Sequence, residues 1–225
     1  MIRLTALLLT AVLLLTAACA MADSFSSGDY VKFGHYEQDN NKKNGAESIR
    51  WLVLMENDGK LLLLSDKALA NIQFNVKSNG ATWGESSLRK WLNNDFLNEA
   101  FTASEAAAIQ TTQVQDTALH TYSEWNTNNR FSGTTEDKIF CLSYLEACML
   151  LTRQYARCEP TTVVSKSKNK ILLVDKAYTF WWLRTSSYKN NAMMIAGDGF
   201  SSAYEHHRQI CVRPAMWVDA SAVTR

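Results

Sequence analysis

Side chains that could act as nucleophiles, bases or metal ligands are present in this chain, but their spacing assembles no complete catalytic set. Cys141, Cys148, Cys158 and Cys211 stand 7, 10 and 53 residues apart, which matches no zinc motif. No Gly-x-Ser-x-Gly elbow places a serine on a strained turn, and no cofactor fingerprint is present. His206-His207 beside Glu205, with Asp198 eight residues earlier, invites a metal reading. Neighbouring residues of a strand point to opposite faces, however, so at most one imidazole could join the two carboxylates. A solvated loop is the plainer account, and no metal is expected there. Asp39-Asn40-Asn41 is the one local run with the oxygen density that calcium requires.

Binding chemistry is better represented than catalytic chemistry. Trp181-Trp182-Leu183-Arg184 and Val212-Arg213-Pro214-Ala215-Met216-Trp217 flank a stretch, Ser186 to Arg208, rich in Asn, Gly, Ser, Tyr and His. That layout reads as scaffold, variable loop and scaffold again. Within it Tyr188, Asn190, Asn191, Asp198, Phe200 and Tyr204, with Trp182 at its start, supply the amphipathic aromatics and adaptable polar groups of sugar platforms and protein paratopes. An ordinary polar loop is the competing reading. Trp181 and Trp182 alternate faces in a strand, so one is expected in the core and the other partly exposed. Arg184 and Arg213 sit among large apolar residues and are expected to be structural, bonded to carbonyls or a carboxylate. Trp51, Trp91 and Trp217 are expected in the core.

Residues 1–22 have the form of a secretory signal peptide: Arg3, an apolar run from Leu4 to Leu15, and Ala20-Met21-Ala22 for cleavage before Asp23. The apolar run is shorter than the ~20 residues a spanning helix needs. A rival reading takes Thr16-Ala17-Ala18-Cys19 as a lipobox, which would leave a lipid on Cys19 and a membrane anchor; the leucine usual at the Thr16 position is missing. Both readings export the chain, as a secreted or cell-envelope protein. Removing residues 1–22 leaves 22 basic and 22 acidic side chains, a balance that argues against nucleic acid as a partner. Four cysteines then remain, and their three pairings stay open alongside buried free thiols.

The elements that must carry these residues form a single domain over 23–225, of the α+β class. Asp29–Tyr36 alternates as an opening strand. Ile49–Met55 and Lys60–Leu64 flank Asn57-Asp58-Gly59, a hairpin signal of the primed-turn type. A helix opens at Ser86 or Ser87 with Leu88, Trp91, Leu92 and Phe96 on one face. Thr102 with Glu105, and Ser143 with Glu146, are capping boxes that open two further helices, the second running through Tyr155. Gln113–Gly133 reads as a long surface loop and Lys138–Leu142 as a strand. Lys170–Val174 is ambiguous. Segments around Trp181, Met193–Ala196 and Val212–Val218 read as short closing strands.

These blocks, in this order, resemble the bacterial domain of unknown function 6273 family. The resemblance runs through Gly28–Tyr36 with Gln38-Asp39, Trp51–Leu54, Leu61–Ser65, Trp83, Ser87–Asn93 with Phe96, and Asp137–Phe140 with Leu142-Ser143. Trp181–Arg184 and Val212–Trp217 close it. The family's members are exported or surface proteins, and its Ser-Pro-Gly after the tryptophan block is replaced here by Thr185-Ser186-Ser187-Tyr188. The resemblance implies, by a further analogy, a C-type-lectin-like or formylglycine-generating-enzyme-like fold: curled antiparallel sheets, two main helices and a loop-rich C-terminal half. The function expected is that of a non-enzymatic module with its ligand face in the 182–211 region, binding a glycan or an extracellular protein without a cofactor. The alternatives are an enzyme built on a reactive cysteine and a purely structural envelope protein.

Overall fold

The computed structural model describes residues 24–77, 81–116, 133–187, 190–205 and 207–225. The expected signal peptide, Cys19, Tyr188 and His206 lie outside the described residues, as does 117–132.

Strands β1 (Tyr30–Tyr36), β2 (Glu47–Asn57) and β3 (Lys60–Ser65) form an antiparallel meander that β13 (Ala215–Asp219) closes against β3. Asp58 and Gly59 both have positive φ, 50° and 72°, so the β2–β3 turn has the primed geometry that matches strand twist. Leu61 to Leu64 are all buried, because the sheet curls and is covered on both faces. β1 carries an irregularity between Lys32 and His35. Gly34 occupies it at φ 68°, with the Phe101 ring and the Ala100 carbonyl where a Cβ would stand.

Helix α1 (Ser87–Trp91), a π-helical turn (Leu92–Phe96) and α2 (Leu97–Ala100) follow one another without a break. Ser86 caps the start, its hydroxyl accepting from the Arg89 N–H. The buried residues Leu88, Leu92, Phe96 and Ala100 are spaced strictly by four. Four α-helical residues advance the side chain about 40° beyond a full turn, so such a row would wind away from the core. One wider turn offsets that drift and keeps the row inward. Trp91 is correspondingly not a core residue: it lies half-buried at the helix margin.

The expected caps of the next helices are present. Thr102 and Glu105 exchange bonds at the start of α3 (Ala103–Ala108), and Ser143 and Glu146 do so at α4 (Tyr144–Leu150). The helix expected through Tyr155 stops at Leu150, and Thr152 caps a separate α5 (Arg153–Ala156), followed by α6 (Thr162–Ser165). The expected surface loop at Gln113–Gly133 begins and ends in a hairpin, β5 (Thr112–Asp116) against β6 (Gly133–Asp137). Lys138–Leu142 is no strand; Phe140 makes a lone bridge to Ala215. Its apolar side chains fill the core while Asn93 holds its backbone N–H groups.

The largest correction concerns the C-terminal third. After β7 (Leu173–Val174) and β8 (Tyr178–Thr179) come β9 (Trp181–Ser186), β10 (Asn191–Ile195), β11 (Ser201–Glu205) and β12 (Gln209–Val212). The stretch expected as a variable loop is thus mostly strand, part of a sheet ordered β11-β10-β9-β12-β4 with β4 (Ala70–Gln73). β12 and β9 form its one parallel pair, at Cys211 and Trp181. The expected closing strand over Val212–Val218 breaks at Arg213-Pro214, where the chain passes from this sheet into the first. The architecture is α+β, mostly strands in curled antiparallel sheets, with more and shorter helices than the two main ones expected.

Candidate ligand-binding groove

The residues expected to form a face between Trp182 and Cys211 do not converge. Trp182 is fully buried like Trp181, its indole N–H donating to the Ile72 carbonyl at 3.0 Å and its ring set edge-on to Phe74. No member of the pair is exposed, because β9 is covered on both faces. Asn190 and Asn191 stand at one end of β10, whereas Asp198 and Phe200 belong to the turn at its other end. Four residues of strand place those ends about 13 Å apart. Asp198 is engaged in the turn, accepting from the Phe200 N–H and, through its carbonyl, from Arg153. Phe200 is exposed beneath the Arg153 guanidinium, and Tyr204, opposite Ala192, packs partly on the core.

Arg184 and Arg213 are joints of the fold. Arg184, 3% exposed, grips both oxygens of Glu146 at 2.5 and 2.7 Å and donates to the carbonyls of Cys141 and Gln115. Arg213 donates to the carbonyls of Ser65 and Tyr155, beside the Trp181 ring. A third joint was not anticipated. Buried Asp137 receives the Trp83 indole N–H at 2.8 Å, the Thr135 hydroxyl and Arg89 Nε at 2.6 Å. It ties α1 to the β5–β6 hairpin. Trp217, expected in the core, is half-buried on β13.

The four cysteines among the described residues are free thiols. Burial pushes Cys141 and Cys211 up to about 12 and Cys158 up to about 11. Such thiols are poor nucleophiles. Cys148 is exposed on α4. Glu37, Asp39 and Glu47 bring carboxylate oxygens within 4.8 Å of one another. Backbone N–H groups of Gln38, Asp39 and Asn41 already occupy oxygens of all three.

The feature best built to hold a ligand is a groove of about 420 Å³ between α1 with its π-helical turn and the strands β4 and β12. Trp91 forms one wall, its ring tilted 32° against that of Phe96 at 5.3 Å between centroids, which restricts its orientation. Ile72 and the exposed Val76 add apolar surface. Gln73 and Gln209 lie directly opposite each other in the β4–β12 ladder and line the groove together. Gln73 Nε2 donates to the His207 carbonyl at 2.6 Å, which leaves its oxygen free. Gln209 Oε1 is buried with no hydrogen-bond partner, an arrangement that costs about 1–3 kcal/mol and is rare without a reason. Asn94, Asp95 and Lys90 line the helical side. Ser87 is used up internally, accepting from the Val76 N–H and donating to the Phe74 carbonyl.

A second cleft of about 390 Å³ lies between the β5–β6 hairpin and α4. Its lining, including Gln113, Gln115, Thr134 and Leu145, has no aromatic wall, and its Arg184–Glu146 floor is saturated.

Trp91, Asn94 and Asp95 could have been grouped from the sequence, since steps of three and four put them on one helical flank. Gln73 and Gln209 are 136 positions apart, and nothing short of the strand pairing joins them. Gln209 does fall within the 182–211 region, and among the described residues it is the one part of that region lining the groove.

Neither a curated protein nor a solved structure matches the chain. Residues 58–220 match the family described as Domain of unknown function (DUF6273). The blocks Gly28–Asp39 and Trp51–Leu54, which carried part of the resemblance, precede that stretch. The match runs from the β2–β3 turn through β13, and takes in α1, the three joints and every lining residue of the groove. This chain therefore belongs to the DUF6273 family.

Proposed function

We propose that this protein is an exported, non-enzymatic binding module that holds a glycan in the groove beside Trp91. One observation carries the reading: an oriented indole stands against paired glutamines, one of which keeps a buried oxygen without a donor. An aromatic plane takes the apolar face of a sugar ring, and amides and carboxylates take its hydroxyls. A C-type-lectin-like arrangement of the two sheets accords with this reading. So does secretion through residues 1–22, with membrane attachment only in the case of a lipid on Cys19. Burial of three thiols weighs against cysteine chemistry, and no observation favours an enzyme over a binder.

A glycan-array screen of residues 23–225 tests this, run beside Trp91→Ala and Tyr204→Ala. Expected is binding by the wild-type chain and by Tyr204→Ala, lost in a folded Trp91→Ala. Binding lost in Tyr204→Ala alone would return the face to the β10–β11 hairpin. Binding to no glycan would refute the glycan reading and favour an extracellular protein, sought next by pull-down.

A further inference from the structure

Resting on that reading of the groove, we infer that its ligand is a neutral sugar chain bound without a metal ion, because the polar groups left unspent around Trp91 both donate and accept and together carry no net charge. Gln73 has committed one of its two amide N–H bonds to the His207 carbonyl, and Asn94 one of its two to the Lys90 carbonyl at 2.7 Å. Each keeps its oxygen and one N–H for a ligand. Gln209 Oε1 is an acceptor without a donor, and the Asp95 carboxylate only accepts. Gln209 lines the groove, and a turn of its terminal amide torsion, which is soft, exchanges the buried oxygen with the amide N–H groups toward a ligand.

Amides that both donate and accept beside an aromatic plane suit a partner whose groups do the same, as sugar hydroxyls do. A carboxylate, sulfate or phosphate brings only acceptors and would set its charge against Asp95. Lys90 balances Asp95, so the groove does not attract a cationic ligand either. Calcium takes six to eight oxygen ligands, usually several carboxylates, and here it would meet one carboxylate and an ammonium group. Four indole N–H groups are bonded inside the fold, those of Trp51, Trp83, Trp181 and Trp182. Trp91 has no such bond among the described residues, so its N–H adds a donor at the rim for a ring or hydroxyl oxygen.

The test is isothermal titration of residues 23–225 with neutral oligosaccharides (maltoheptaose, cellohexaose, xylohexaose and mannohexaose) and with anionic ones (oligogalacturonate and a heparin hexasaccharide). Each is run with and without EDTA, and with Gln73→Met, Gln209→Met and Trp91→Ala. The inference expects at least one neutral chain to bind and EDTA to change nothing. Each glutamine variant should weaken binding about tenfold, with Gln209→Met melting at the same temperature as wild type or higher, since it removes an unsatisfied buried oxygen. Binding confined to the anionic chains, or abolished by EDTA, would overturn the inference while leaving the groove in place if Trp91→Ala still abolished it. Binding that survives Trp91→Ala would overturn the groove itself, and binding to no probe would overturn both.

Discussion

Asp137 is the side chain on which most of the N-terminal helical layer depends. Its carboxylate is wholly buried and answers Trp83, Arg89 and Thr135 together. Removing one partner of a buried ion pair leaves the other uncompensated, at a cost of several kcal/mol. Asp137→Ala is expected to lower stability by about 3 kcal/mol in urea titration; a change below about 1 kcal/mol would show that Arg89 and Trp83 find other acceptors. The thiols give a second prediction. Cys141, Cys158 and Cys211 titrate at about 12, 11 and 12 in the folded chain against 9.0 for a free thiol. As pH rises past 9.0 the unfolded chain loses these protons first, so stability is intact below that value and falls toward pH 12. Each thiol steepens the fall by about 1.4 kcal/mol per pH unit. Urea midpoints from pH 7 to 11 should be level and then drop. Iodoacetamide under native conditions should label Cys148 alone, and all four thiols in urea, by intact mass. Native labelling at Cys211 would contradict its burial. The structural setting of Arg184 was legible because an arginine beside Trp-Trp-Leu must find carbonyls or a carboxylate. The depth of Trp182 was not, since alternation along a strand predicts two faces but not that both are covered.

Among the elements, the helix from Ser87 to Ala100 shows where periodicity alone falls short. Its start was readable from Ser86, and its apolar face from Leu88, Leu92 and Phe96. The consequence of a strict four-residue step, a π-helical turn that leaves Trp91 at the margin, needs the geometry of the turn itself. Capping boxes at Thr102 and Ser143 and the Asp58-Gly59 turn were local chemistry and were readable in full. β9 and β10 were read as short strands around Trp181 and Met193, whereas β11 and β12 were missed: Ser201-Ser202 weakens the signal of the first, and the second is short and fixed by a partner far away in sequence, β4. The β1 irregularity makes its own prediction. Gly34 sits at φ 68°, and a Cβ added there would stand 2.5 Å from the Phe101 ring and 2.7 Å from the Ala100 carbonyl. Gly34→Ala should therefore lose about 2 kcal/mol or more in thermal or urea unfolding, from left-handed strain and overlap together. An unchanged midpoint would mean that β1 shifts freely against α2.

At the scale of the whole molecule, the blocks that mark the family and the groove that could serve it are different things. Trp83, Arg89, Asp137, Arg184 and Arg213 are interior fasteners, tying helices and hairpin to the two sheets. The groove is assembled from β4, α1 with its π-helical turn, and β12, with only Ser87, Lys90 and Trp91 drawn from a family block. The family blocks therefore mark the scaffold and, apart from that one stretch of α1, leave the site unmarked. The most direct test follows the indole N–H resonances of ¹⁵N-labelled residues 23–225 during titration with the neutral oligosaccharides, the Trp91 signal being assigned by its loss in Trp91→Phe. The account predicts that a binding sugar moves the Trp91 resonance furthest, while those of Trp51, Trp83 and Trp181, bonded inside the fold, hold still. A sugar that binds without moving Trp91, or no movement with any of them, would contradict it.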